Sequence, residues 1–154
     1  MAALVSRLRL LGYLDRTPDH RLKPGKRFFE RELAESTVQA GYPTPALEEK
    51  TEALTIDDFL VEKPSETVLV KVKGDSMVDA GIMAGDMVVV EKRSTANIGD
   101  IVVAMIDNEF TLKTLALENN QYVLVPANKA YPVLRPPQGL EIFGVVVGQF
   151  RKYC

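Results

Sequence analysis

Beyond Pro64 the chain is a succession of short apolar runs, with turn residues between them and no helix-length amphipathic segment. Thr67–Lys73 (TVLVKVK) alternates apolar and polar side chains over much of its length, the period of a half-buried strand. Met87–Val90, Ile101–Ile106, Phe110–Leu117, Tyr122–Val125 and Ile142–Phe150 are apolar runs of strand length, most of them rich in β-branched or aromatic residues. Gly-Asp, Asp-Asn and Asn-Asn pairs separate several of these runs. Parallel strands need a long crossover, usually helical, and no segment here can supply one. The expected fold class is therefore mainly β, with a compact antiparallel β body.

The residues before Pro64 read differently. Leu4, Leu8 and Leu11 fall at helical spacing with Arg9 on the opposite face, and Gly12 stops that helix. Pro18-Asp19 marks a turn between two short extended pieces, Tyr13–Arg16 and His20–Lys23. A helix followed by a basic two-stranded turn looks like the last part of a winged helix, without the preceding helix and turn that would set a recognition helix in a DNA groove. Residues 27–38 are mixed and fit a short helix or an extended arm. Gly41-Tyr42-Pro43-Thr44-Pro45 suits no regular element and reads as a linker. Ile56–Val61 suggests one helical turn around Asp57 and Asp58, closed by Pro64. The expected division is a basic head over 1–33, an arm and linker over 34–64, and a β domain over 65–154.

Charge and rare residues narrow the chemistry. A net charge of −2 hides a basic head: residues 1–31 carry Arg7, Arg9, Arg16, Arg21, Lys23, Lys26, Arg27 and Arg31 against Asp15, Asp19 and Glu30. Such a head fits an anionic partner or an ordinary solvated surface. Cys154 is the single cysteine, which excludes an intramolecular disulfide and any CxxC metal site. His20 is the single histidine and lies far in sequence from the β body. Asp79, Asp86, Asp100 and Asp107 each lie near a Gly or Asn, in turns where Asp commonly bonds its own backbone, so no metal site is expected. The apolar runs are far too short to cross a bilayer, and no signal-peptide pattern follows Met1, so the expected location is the cytoplasm.

Two residues remain as candidates for chemistry. Ser76 follows a strand in Gly74-Asp75-Ser76-Met77, ahead of Asp79-Ala80-Gly81-Ile82 and Gly85-Asp86. A serine at a strand end is rigidly held, as a nucleophile requires, although serine in a glycine-rich turn is ordinarily structural. Lys113 stands in Glu109-Phe110-Thr111-Leu112-Lys113 and, in an extended strand, shares a face with Thr111 and Leu115. A lysine in an apolar strand is usually an edge or snorkelling residue. It becomes a general base where desolvation lowers its pKa.

Together these segments resemble the self-cleaving Ser-Lys peptidase family of LexA and UmuD. So do Gly99-Asp100-Ile101-Val102, Pro126-Ala127-Asn128 with Tyr131, and Phe143-Gly144-Val145-Val146. The resemblance spans about residues 37–150 in the family's order, and Ser76 and Lys113 stand 37 positions apart, similar to the family's separation.

The resemblance implies a serine peptidase in which Ser76 and Lys113 are catalytic and backbone N–H groups near Asp75 and Ser76 stabilise the oxyanion. It also implies that the chain cuts itself between a small residue and glycine upstream of the serine, and Ala40-Gly41 fits. No cofactor or metal is called for. A homodimer, activation by a RecA–single-stranded DNA filament, and a place in the SOS response to DNA damage are implied in the same way. The arm Gly41–Ala46 and the stretch Leu54–Leu60 are similar to UmuD-type accessory proteins, whose cleaved product associates with a UmuC-like translesion polymerase. The head looks more like a LexA-type repressor, which leaves direct DNA binding open.

Overall fold

A computed structural model of the chain describes residues 2–34, 51–137 and 139–154. These fall into two compact units, Met1–Phe59 and Leu60–Cys154. The linker Gly41–Pro45 and the pair Ala40-Gly41 lie outside the described residues.

The N-terminal unit begins with helix α1 (Ala2–Leu10), followed by a hairpin of β1 (Leu14–Arg16) and β2 (Leu22–Pro24). The helix and the basic two-stranded turn read from the sequence are both present. Tyr13 and Phe28 meet edge to face at 5.6 Å, and the Arg27 guanidinium lies 5.2 Å from the Tyr13 ring centre. Strands β3 (Glu30–Ala34) and β4 (Thr51–Thr55) pair antiparallel from Glu30 opposite Thr55 to Ala34 opposite Thr51. The segment containing Ala40-Gly41 thus connects two paired strands. Helix α2 (Ile56–Leu60) is the single helical turn expected around Asp57 and Asp58, and Pro64 opens a separate 3-10 turn.

The C-terminal unit is an antiparallel sheet. In chain order its strands are β5 (Thr67–Lys71), β6 (Met87–Lys92), β7 (Ile101–Ile106), β8 (Glu109–Glu118), β9 (Gln121–Val125) and β10 (Glu141–Phe150). In space they run β5-β6-β10-β7-β8-β9, every neighbour antiparallel. Side chains alternate across the sheet, so the valines of β6 and β7 feed both faces. Val88, Val90 and Val103 pack with Met77 and Ile82, whereas Val102 and Ala104 pack with Leu115, Leu124 and Val145. Among the described residues no helix is long and apolar enough to cross a membrane.

Two tight turns set the register around β8. Asp107 and Asn108 both have positive φ, as do Asn119 and Asn120. Two-residue loops of that conformation match the right-handed twist of paired strands. They fix Ile106 opposite Glu109 and Glu118 opposite Gln121, which places Lys113 opposite Val102 of β7. Strand β10 runs between β6 and β7 and carries register shifts between Ile142 and Gly144 and between Val146 and Gly148. Such bulges bend a strand and sharpen its twist.

Candidate active site

The chain leaves β5 with Val72 still bonded to the strand opposite, its N–H donating to the Asp86 carbonyl at 2.8 Å. Gly74 then adopts φ +85°, a conformation costly for any residue with a Cβ, and the backbone turns. Asp75 and Ser76 follow. Met77, 2% exposed, drops into the core against Ile82, Val88, Val90 and Val103. Burying a side chain of that size is worth roughly 1.5–3 kcal/mol, so Met77 pins the loop next to the serine. Val78–Ala80 form a single 3-10 turn, and the Asp79 N–H donates to the Ala127 carbonyl at 2.8 Å.

Lys113 comes from the middle of β8. Lys113 lies opposite Val102 of β7, one position before the stretch Thr114–Glu118 that pairs with β9, and it is 7% exposed. Its Nζ donates to Ser76 Oγ at 2.9 Å, Thr111 Oγ1 at 3.0 Å and the Leu112 carbonyl at 3.0 Å. The three protons of an ammonium are thereby all directed. No carboxylate pairs with Lys113 among the described residues, and burial pushes its pKa below the ordinary lysine value. The structure thus joins Ser76 and Lys113, which the sequence separates by 37 positions.

Asp75 and Ser76 follow the Gly74 turn, and among the described residues neither backbone N–H is taken by a backbone carbonyl. The Asp75 carbonyl accepts from Asn128 Nδ2 at 3.0 Å and from the Val78 N–H at 3.3 Å, while the Tyr131 hydroxyl donates to the Asp75 carboxylate. That carboxylate raises the Tyr131 pKa through the hydrogen bond first and its charge second.

The sequence alone assigns no role to Thr111, Asn128, Tyr131 or Arg151. Thr111 shares the Lys113 face of its strand, and that two-residue spacing is the available signal. Nothing local announces that a loop after β9 reaches Asp75. Asp86 is a turn residue as its sequence suggests, accepting the Met83 N–H at 2.8 Å. It also receives both arms of Arg151, Nε at 2.5 Å and Nη2 at 2.6 Å, and is 2% exposed. Those bonds hold the Asp86 carboxyl at about 2, below the usual carboxylate range.

A groove of about 410 Å³ has Phe110, Thr111, Leu134 and Pro136 among its walls, and neither Ser76 nor Lys113 lines it. A larger hollow of about 680 Å³ lies against Leu115, Tyr122, Leu140 and Ile142, and neither Ser76 nor Lys113 lines it. The chemistry is therefore located by the side-chain contacts, not by a hollow. A nucleophile in contact with a desolvated amine can perform acyl transfer.

Residues 32–147 match the Peptidase S24-like family. A LexA repressor of Alcanivorax borkumensis is 46% identical over 115 residues, covering 74% of this chain and 56% of that protein. Protein SamA of Salmonella typhimurium is 42% identical over 113 residues, 73% of this chain and 79% of that protein. A LexA repressor of Clostridium botulinum is 39% identical over 118 residues, 76% of this chain and 58% of that protein. The chain thus spans a little over half the length of these repressors.

Proposed function

Taking as premise that the chain belongs to the Peptidase S24-like family, we propose that it is a Ser-Lys peptidase that cuts its own backbone at Ala40-Gly41. The observation that carries this reading is the 2.9 Å contact between Lys113 Nζ and Ser76 Oγ in a site without a neutralising acid among the described residues.

In the neutral amine the contact reverses, and the Ser76 hydroxyl donates to the Lys113 lone pair. Lys113 takes that proton as Ser76 Oγ attacks the Ala40 carbonyl carbon. The Asp75 and Ser76 N–H groups stabilise the oxyanion. As the tetrahedral intermediate collapses, the C–N bond breaks and Lys113 returns the proton to the Gly41 nitrogen. A water, deprotonated by the same amine, then hydrolyses the acyl-enzyme and restores Ser76. No metal or cofactor takes part. Each molecule is consumed once, so the reaction serves as a switch.

The division that goes with this reading is a head over 1–33, a cleavable arm over 34–64 and a peptidase domain over 65–154. The arm must dock into the site, and an undocked-to-docked equilibrium sets the rate, with a RecA–single-stranded DNA filament favouring the docked form. The cut protein acts as a dimer in the SOS response to DNA damage, as a UmuD-like accessory of a UmuC-like translesion polymerase. The arm Gly41–Ala46 and the stretch Leu54–Leu60, similar to UmuD-type accessory proteins, support this reading. A second reading, a LexA-like repressor inactivated by the same cut, is favoured by α1 and the basic β1–β2 hairpin.

The test of the dyad is to incubate Ser76→Ala and Lys113→Ala with and without the RecA–single-stranded DNA filament. Each change is expected to abolish cleavage while the unfolding transition of the β domain persists. Cleavage that survives either change refutes the assignment.

A further inference from the structure

We infer that Asn128 is a positioning residue for the oxyanion site: its side-chain amide, holding the Asp75 carbonyl, sets the peptide plane that presents the Ser76 N–H. The inference rests on the Ser76/Lys113 self-cleavage reading and extends it to the step in which negative charge forms.

The Asp75 C=O and the Ser76 N–H belong to one peptide unit. None of the described peptide bonds is cis, so the two groups point in opposite directions across one plane. Whatever grips the carbonyl on one side aims the N–H on the other. The local backbone supplies only a long bond from the Val78 N–H, at 3.3 Å, and Asp75 itself is exposed after the Gly74 turn. The firmer hold comes from Asn128 Nδ2 at 3.0 Å, from 53 positions away in sequence.

Asn128 is itself fixed. Its Oδ1 accepts the Ala130 N–H at 2.9 Å, and its own carbonyl accepts the Tyr131 N–H at 3.1 Å. With Oδ1 committed to a donor, the amide can face the Asp75 carbonyl only through its NH₂ group. The preceding residue, Ala127, is tied through its carbonyl to the Asp79 N–H on the far side of Ser76, at 2.8 Å. The Tyr131 hydroxyl, from the same loop, holds the Asp75 carboxylate. The 126–131 loop therefore grips the serine loop on both sides of Ser76. A hydrogen bond to the Asp75 carbonyl also polarises the amide and makes the Ser76 N–H a stronger donor. Preorganised donors of this kind stabilise a developing oxyanion because they need no reorganisation when the charge appears.

The discriminating variant is Asn128→Asp. It keeps the shape and the acceptor for the Ala130 N–H, and it replaces the donor facing Asp75 by a carboxylate oxygen. The full chain, Asn128→Asp, Asn128→Ala and Ser76→Ala are followed by intact mass between about pH 7 and 10, alongside their unfolding temperatures. The expected result is a cleavage rate about 10–100-fold lower in both Asn128 variants at every pH. The midpoint of the pH profile stays where it is in Asn128→Ala, which adds no charge and removes none of the Lys113 contacts. Asn128→Asp also stays folded throughout the measurement.

Asn128→Asp cleaving at the wild-type rate overturns the inference, and so does a rate loss that merely tracks unfolding or a shifted midpoint in Asn128→Ala. If Ser76→Ala abolishes cleavage and Asn128→Asp does not, the positioning role alone is lost. If the full chain stays intact even with the RecA–single-stranded DNA filament, or Ser76→Ala cleaves as it does, the dyad reading fails and this inference with it.

Discussion

Lys113 donates to Ser76 Oγ at 2.9 Å from a position 7% exposed, and no acid pairs with it among the described residues. An ammonium placed there has lost its water and gained only neutral acceptors, Ser76, Thr111 and the Leu112 carbonyl. Such a site favours the free amine, the form a general base needs.

The same feature predicts a cost in stability. A folded-state pKa below the ordinary 10.5 means that folding disfavours the ammonium. The penalty is fully present below the folded pKa and vanishes as pH rises past 10.5, where the lysine is neutral folded or unfolded. Lys113→Met is therefore expected to unfold at a higher temperature than the wild type near neutral pH, by about 2–4 °C for each kcal/mol recovered. The advantage shrinks in alkaline buffer. A lower unfolding temperature at neutral pH would mean that the three hydrogen bonds outweigh desolvation.

The Asp86–Arg151 pair predicts the opposite dependence. Asp86 has a folded pKa of about 2 against an ordinary 3.8, so its contribution is present above 3.8 and lost as pH falls towards about 2. Arg151→Ala leaves a carboxylate buried without its partner and is expected to unfold more easily at neutral pH. Its loss of stability on acidification is correspondingly flatter across that window. Arg151→Lys cannot reproduce the two-armed contact and restores only part of the difference. Acid titrations followed by circular dichroism read both; a wild-type profile for Arg151→Ala would show that the pair contributes nothing.

Gly144 is set by close approach of two strands. A Cβ there would lie 2.6 Å from the Glu91 carbonyl oxygen and 2.7 Å from Val90 Cγ1. The first contact is backbone and cannot move cheaply. Gly144→Ala is expected to destabilise the β domain by about 1–3 kcal/mol in denaturant titration. Gly148→Ala, whose nearest neighbour is the end of the Leu60 side chain at 3.1 Å, costs less. Equal effects would contradict the account of how β10 fits beside β6.

How much of this was legible in the sequence depends on the range of the forces involved. Period and turn chemistry are local, so the strands were readable, and Asp107-Asn108 and Asn119-Asn120 announced the turns that set the β8 register. The common face of Thr111 and Lys113 followed from strand geometry alone. Strand β4 was not readable, because Thr51–Thr55 is too short and mixed to show a period and is defined by pairing with β3. The proximity of Ser76 and Lys113 came from resemblance, since no local rule joins positions 37 apart. The Asn128–Asp75 and Arg151–Asp86 contacts span 53 and 65 positions, and only the folded chain reveals them.

The central claim is that Ser76, activated by neutral Lys113, cuts the chain at Ala40-Gly41. Its most direct test is the intact mass of the purified protein, followed over time from neutral to alkaline pH. The account predicts two fragments that meet at Ala40-Gly41, forming faster as pH rises and levelling off above the lowered pKa of Lys113. A rate that does not change between about pH 6 and 10, or fragments that meet at another bond, would contradict it.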